Sequence, residues 1–268
     1  MFRKINALIK KDFLIESSYK LAFIMNIFSV CASLLIYFFI NRLFGNKINA
    51  YLEEFGVNYF SYVLLSMAFF SYIGVGIGSF SSRIRLEQLQ GTLESLFLTP
   101  TKTETIILSM AIWNIVFATL DVLIYFLFGV FLFKINFTNI NFLSAFTTLI
   151  LTIISFSSLG IFSASFVLIY KRGNPTAWLI STLEGVVGGV YFPINVLPGY
   201  LQMVAHCLPV TYAIRAIELA VYQNYSVYQL KNELLFLLIF SIILLPLSLK
   251  TFKKAIRTAC RQGSLTQY

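Results

Sequence analysis

Six stretches of this 268-residue chain are apolar for long enough to cross a lipid bilayer, and nothing else in the sequence restricts its fold as strongly. A spanning helix needs about 20 mostly apolar residues, because about 30 Å of hydrocarbon must be crossed at 1.5 Å per residue. The windows are 21–44, 58–80, 105–133, 142–170, 176–192 and 232–250. The third and fourth exceed what the bilayer demands, which predicts tilt or protrusion, and the fifth is the shortest. Composition agrees with the windows. Hydrophobic residues make up 58% and charged residues 12%, against about 45–50% and about 25% in soluble domains. A soluble fold could not coat so much apolar surface with so little charge. The expected fold class is therefore an all-α integral membrane protein, a single domain over 1–268 with six transmembrane helices.

Charge placement orients it. The formal net charge is +9, yet no Lys/Arg-dense face exists, which excludes a nucleic-acid partner. The basic residues flank the apolar windows instead. Arg3, Lys4, Lys10, Lys11, Lys20, Arg83, Arg85, Lys102, Lys171, Arg172, Lys250, Lys253, Lys254, Arg257 and Arg261 fall on one side. Arg42, Lys47, Lys134, Arg215 and Lys231 fall on the other. Fifteen against five predicts a multi-pass protein of the cell membrane with both termini in the cytoplasm. Residues 21–40 lack a clear small-residue cleavage site and are read as an uncleaved first span.

Two segments outside the spans have helical periodicity. In 1–20, Phe2, Ile5, Leu8, Ile9, Phe13 and Ile15 share one broad arc opposite Arg3, Lys4, Lys10 and Lys11, which predicts an amphipathic helix at the membrane interface. In 83–99, Leu86, Leu89, Leu93, Leu96 and Phe97 fall within an arc about 100° wide, with Glu87 and Glu94 together on another face. Arg83 can pair with Glu87 at i,i+4, and Pro100 ends the helix.

Chemistry is sparse. No Gly-Lys dipeptide occurs, so the phosphate-cradling loop of an ATPase is missing, and GxSxG and HExxH are also absent. Cys31, Cys207 and Cys260 have no metal or disulfide spacing, and His206 is the only histidine. No catalytic residue and no metal ligand is assigned. Asp121 and Glu184 lie inside spans, where a charge costs about 2.5–3.5 kcal/mol. They are read either as a proton or cation relay or as hydrogen-bonded packing residues. The packing role is favoured because Arg42 and Lys250 stand at window ends and no Lys, Arg or His lies deeper in the spans to partner them. Gly74 with Gly78, and Gly185 with Gly189, form GxxxG patterns suited to close helix packing.

The segment 193–222 carries Pro193, Pro198 and Pro209 yet stays apolar. Proline frees backbone groups that lipid cannot satisfy. The resolution expected is a short helix near 199–207, re-entrant or at the outer surface, then an amphipathic helix near 211–222 with Arg215 and Glu218 on its wet face. Such a plug suits a gate.

These residues resemble the membrane subunit of type-2 ABC exporters, whose permease and ATPase are separate chains. Glu87-Gln88-Leu89-Gln90-Gly91-Thr92-Leu93-Glu94-Ser95-Leu96 followed by Thr99-Pro100 is similar to that family's ExxxGTLExL…TP loop. Phe192-Pro193, Leu197-Pro198, Leu208-Pro209 and Thr211-Tyr212 are similar to its outer-mouth segment. The resemblance implies two permease chains, as a homodimer, with two ABC ATPase subunits in the bilayer. ATP and Mg would sit on the ATPase, with no cofactor bound by this chain. It implies that 83–99 is a coupling helix docking on the ATPase, with Glu87, Gly91, Thr92, Glu94 and Pro100 matching the motif. Phe192, Pro193, Leu197, Pro198, Pro209 and Tyr212 would form the extracellular gate. The spans are rich in Phe, Leu and Ile with little fixed charge, which points to a drug-like or lipid-like amphiphile as cargo. Export of a polysaccharide or other envelope polymer is the alternative within this class, and a gradient-driven transporter using Asp121 and Glu184 the alternative outside it.

Overall fold

The computed structural model describes residues 2–99, 101, 103–135, 137, 139–170 and 175–261. Helices follow in the order α1 (Phe2–Ser18), α2 (Lys20–Asn49), α3 (Tyr59–Leu89), α4 (Leu93–Leu98) and α5 (Thr103–Phe131). Then come α6 (Phe142–Tyr170), α7 (Pro175–Val187), α8 (Gly199–Ala205), α9 (Pro209–Tyr222) and α10 (Lys231–Arg261). No strand occurs among the described residues. Five helices, α2, α3, α5, α6 and α10, are long and apolar enough to cross a membrane. A sixth is reached if α8 and α9, bent by 84°, count as one broken span.

The all-helical membrane class stands, while individual windows need correction. The window 58–80 continues without a break to Leu89, and the window 232–250 continues to Arg261. The fifth window, 176–192, is a 13-residue helix followed by a turn. At 1.5 Å per residue α7 is about 20 Å long, short of the hydrocarbon thickness. Gly189, at φ +87°, takes the chain out of helical geometry just beyond it. The single helix expected over 83–99 is two. It breaks at Gly91, where φ is +68° and where Thr92 N–H bonds Glu87 O and Gly91 N–H bonds Gln88 O. That paired bonding is a glycine C-cap of the Schellman type, so one continuous leucine arc does not form.

Polar residues at the helix starts fix where two of the spans begin. Asn58 accepts from Ser61 N–H at 2.9 Å before α3, and Asn141 accepts from Ser144 N–H at 3.1 Å before α6. α3 is the central element. It packs on α5, α6, α7 and α9, and 67% of its span window is buried, against 11% for α2 at the periphery. α6 lies between α3 and α10 and presents a hydroxyl-rich face to both. Ser155 and Ser241 approach to 2.7 Å across α6 and α10, and the hydroxyls of Ser155 and Ser165 also donate to carbonyls one turn back. Hydroxyls are the residue type that lets helices approach in lipid without leaving a polar atom unpaired.

Glycines let α3 and α6 approach closely. A Cβ added to Gly160 would overlap the carbonyl oxygen of Gly76, while Gly76 itself rests on Phe156. Within this chain the close-packing glycine of α3 is thus Gly76. A Cβ on Gly74 or Gly78 would meet nothing within 4 Å. Just past the end of α7 the tight glycine is Gly188, against Val210, whereas Gly185 within α7 makes ordinary contact with Phe70 and Tyr191 and Gly189 serves the turn.

Gly160→Val should force α6 away from α3 and lower stability by about 1–3 kcal/mol, read as a fall in the unfolding temperature of the solubilised protein. Gly78→Val should leave that temperature close to wild type, since its side chain enters open space. Equal effects from the two would remove Gly76–Gly160 as the pivot of the bundle.

Candidate functional site

Two polar constellations lie at opposite ends of α3. At one end, Phe80, Ile84, Leu93, Ile106, Leu168, Phe252 and Ala255 form a buried cluster that joins α3, α4, α5, α6 and α10. α1 packs along α5 beside it, from Lys4 Nζ near Thr101 Oγ1 at 3.4 Å to Phe13 edge-on against Trp113. Ile5 and Asp12 are buried, while Phe13 and Leu14 stay exposed.

α1 is bolted to α3 by two ion pairs. Asp12 Oδ2 lies 2.7 Å from Arg83 Nη2, with side-chain exposures of 8% and 11%. Lys11 Nζ pairs with Glu87, whose other oxygen accepts from the Thr92 hydroxyl. Burial raises the Asp12 carboxyl above its ordinary range, with the Arg83 guanidinium pulling the other way. The expected Arg83–Glu87 pair is therefore replaced by two pairs to α1. The reason is that α1 brings opposite charges into van der Waals range of both residues. Asp12 was the residue missed in the sequence. Its signal was present, because Ile5, Leu8, Ile9 and Asp12 lie at helical spacing and place a carboxylate on the apolar face.

These pairs redistribute the roles within the loop. Glu87 is 3% exposed and committed to Lys11 and Thr92, so it fastens the loop internally and does not face outward. Gly91 supplies a left-handed turn, a conformation that favours glycine, and no atom of this chain lies within 4 Å of its Cβ position. Leu93 is fully buried and anchors α4. Leu89, Glu94 and Leu98 remain exposed on the turn and helix, at 59% for Leu89 and 76% for Leu98. Pro100, Lys102, Lys171 and Arg172 lie outside the described residues.

At the other end the chain is broken between α7 and α9, and side-chain donors close the freed carbonyls. Tyr62 Oη donates to Gly189 O, and Tyr59 Oη donates to Tyr191 O at 3.0 Å. Gln202 Nε2 donates to Leu197 O at 2.8 Å and Thr211 Oγ1 to Ala205 O at 2.7 Å. Tyr212 Oη donates to His206 O at 2.9 Å, and its ring stacks on Phe236 of α10. Pro198 precedes the first turn of α8 and Pro209 begins α9, positions where proline costs no hydrogen bond. Phe192 is exposed and stacks on Tyr59, Pro193 is buried and Leu197 partly so. All six residues lie between the end of α7 and the first turn of α9.

Glu218 is corrected. It is fully buried and accepts from Ser66 Oγ at 2.8 Å, whereas Arg215 is exposed and reaches Glu54 at 2.6 Å and Glu233 at 3.4 Å. Glu218 follows Thr211 by seven residues and Ile214 by four, which puts it on the buried face of α9. Asp121 of α5 accepts from Asn26 of α2 at 2.6 Å. Glu184 is 2% exposed on α7, and its Oε2 has no hydrogen-bond partner among the described residues. The two carboxylates expected as candidates sit on separate helices with separate surroundings.

A family model described as ABC-2 type transporter matches residues 3–222. None of the curated proteins matches the chain.

Removing one member of the Asp12–Arg83 pair leaves a buried charge uncompensated, a loss of about 3–5 kcal/mol. Asp12→Ala and Arg83→Ala should each let α1 separate from α3, measured as increased protease sensitivity of α1, and the reciprocal exchange Asp12→Arg with Arg83→Asp should restore protection. Tyr62→Phe leaves the Gly189 carbonyl unpaired and should cost about 1–3 kcal/mol in thermal unfolding, more than Tyr228→Phe, whose ring is 78% exposed.

Proposed function

The chain belongs to the ABC-2 type transporter family, and from that membership we propose that it is the permease of an exporter carrying a drug-like or lipid-like amphiphile out of the cell. It is a multi-pass membrane-spanning subunit of an ABC transporter, a kind of subunit that partners with an ABC ATPase. In this reading two copies of the chain pair with each other and with two ATPase subunits, which hold ATP and Mg. Both termini, α1 and α4 face the cytoplasm, in line with the excess of Lys and Arg at that end. The gate over Phe192–Tyr212 closes the far side.

One observation carries the coupling role. The Gly91 turn and α4 present Leu89, Glu94 and Leu98 outward while Leu93, Glu87 and Thr92 fix the base of the same loop to α1 and α3. A partner subunit that grips such a knob moves α3 and α5 together, since α4 connects them within a few residues on either side. Leucine side chains exposed beside a carboxylate offer a small apolar anchor with a charged rim, the usual make-up of a docking spot. The amphiphile reading draws on spans that contain few fixed charges in a chain with 28 Phe. Asp121 bonded to Asn26 across α2 and α5 supports a packing role for that carboxylate over a relay.

The test is co-purification with ATP-driven export from reconstituted vesicles. An ABC ATPase should copurify with the wild-type chain. Glu94→Arg combined with Leu98→Asp should reduce its recovery and lower export about tenfold or more, equivalent to about 1.4 kcal/mol, with membrane insertion unchanged. Wild-type export by that variant would end the coupling assignment, and uptake driven by a proton gradient without ATP would replace the export reading with a secondary transporter.

A further inference from the structure

The flank of α5 that faces α1, α2 and α3 is hollow. One cavity, about 670 Å³, lies by the α1–α2 junction between Phe13, Phe23, Trp113, Phe117 and Leu120, with Lys20 also in its wall. A second, about 510 Å³, shares Trp113 and Phe117 with the first and continues along α3 past Gly74, Gly78, Ser82, Arg83 and Asn114. Each volume lies within the range of small-molecule pockets, about 300–1,000 Å³. The two differ in character. The first is bounded almost wholly by rings and aliphatic chains, while the second carries the donors.

Those donors have capacity to spare. Asn114 Nδ2 is buried without a hydrogen-bond partner, a condition that costs about 1–3 kcal/mol unless something accepts from it. Arg83 directs Nη2 to Asp12 at 2.7 Å, but a guanidinium has five N–H groups and one carboxylate does not exhaust them. Gly74 and Gly78 leave open space above their Cα atoms and line this second cavity.

We infer that the paired cavities bind a single-chain anionic amphiphile, with its tail between Phe13, Trp113 and Phe117 and its acidic head against Asn114 and Arg83. An acidic head is favoured because the nearby uncommitted groups are donors and cations. A tail is favoured because the adjoining lobe, although Ser17, Lys20 and Asn26 also line it, is walled mainly by rings and aliphatic chains that gain from burying methylenes. The inference rests on the export reading only in naming this amphiphile as cargo; the binding itself stands apart from it.

Trp113 is one of two tryptophans in the chain, so Trp178→Phe leaves a single reporter in the shared wall. In zwitterionic-lipid nanodiscs, stearic acid with a nitroxide on its chain should quench Trp113 saturably. Its methyl ester, lacking the charge, should need about tenfold more for half-saturation, about 1.4 kcal/mol. Asn114→Leu should erase that preference without altering quenching by the ester, and Gly78→Leu should weaken the acid by occupying the head lobe. Quenching that rises linearly and equally with acid and ester would mean that Trp113 merely meets bulk lipid, and would overturn the site. Efficient disulfide formation between two Gly78→Cys chains would assign the glycine floor to a second copy and overturn it as well. Because the assay uses neither ATP nor a partner, a negative result alongside intact ATP-driven export sinks this site alone. Saturable binding without ATP-driven movement upholds the site and sinks the cargo assignment.

Discussion

Every backbone N–H and C=O that leaves a helix within hydrocarbon must find a partner inside the protein, because lipid offers none. That requirement explains why the region between α7 and α9 is built as it is. Glycine and proline end the helices there, and the carbonyls of Gly189, Tyr191, Leu197, Ala205 and His206 each receive a side-chain donor. Two of those donors, Tyr59 and Tyr62, belong to α3. The break can therefore persist only while α3 is held at a fixed depth and rotation. The Gly76–Gly160 crossing with α6 supplies that fixity, since backbone in contact with backbone leaves no room for a side chain to slide through.

The same helix carries the other constellation. α3 has 31 residues, about 46 Å of uninterrupted helix, with Tyr59 and Tyr62 in its first turn and Arg83 and Glu87 in its last two. An element of that length without a proline transmits a displacement at one end as tilt at the other. The Lys11–Glu87 and Asp12–Arg83 pairs then acquire a mechanical meaning, for they add α1 to the moving body. Their contribution to net stability is secondary, because the desolvation of buried charges offsets much of their attraction.

The spans were legible because a bilayer converts sequence to structure almost directly: an apolar run of sufficient length has few options other than a helix. The window 142–170 coincides with α6, whose first residue is set by the Asn141 cap. Errors gathered where glycine acts through φ and not through size. Gly91 and Gly189 end helices by adopting positive φ, which a search for apolar arcs does not register. Partner choice was the other blind spot. Glu87 and Glu218 look alike as carboxylates in amphipathic segments outside the expected spans, yet one meets a lysine 76 residues away in sequence and the other a serine in the first third of α3. Periodicity states which face a residue shares, and tertiary packing alone states what that face meets. The broken segment before α9 was legible for a different reason, since prolines in an apolar segment advertise the freed backbone that the fold must then satisfy.

Arg83 belongs to both the α1 latch and the hollow along α5. Its guanidinium reaches Asp12 on one side and lines the second cavity on the other, so the latch and the cavity cannot change independently. Displacement of α1 against α3 would stretch the Asp12 pair and reorient the remaining N–H groups, altering the donor set that a head group meets. Asn114 sits on α5, which packs on α3 and moves with it, so it is the Arg83 donors that change their aim. The two sets of donors would no longer converge, and a ligand that needs both would lose one. A movement begun at the exposed knob of α4 thus has a short physical route to the affinity of the cavity, made of one ion pair and one rigid helix, with no need for a longer chain of contacts.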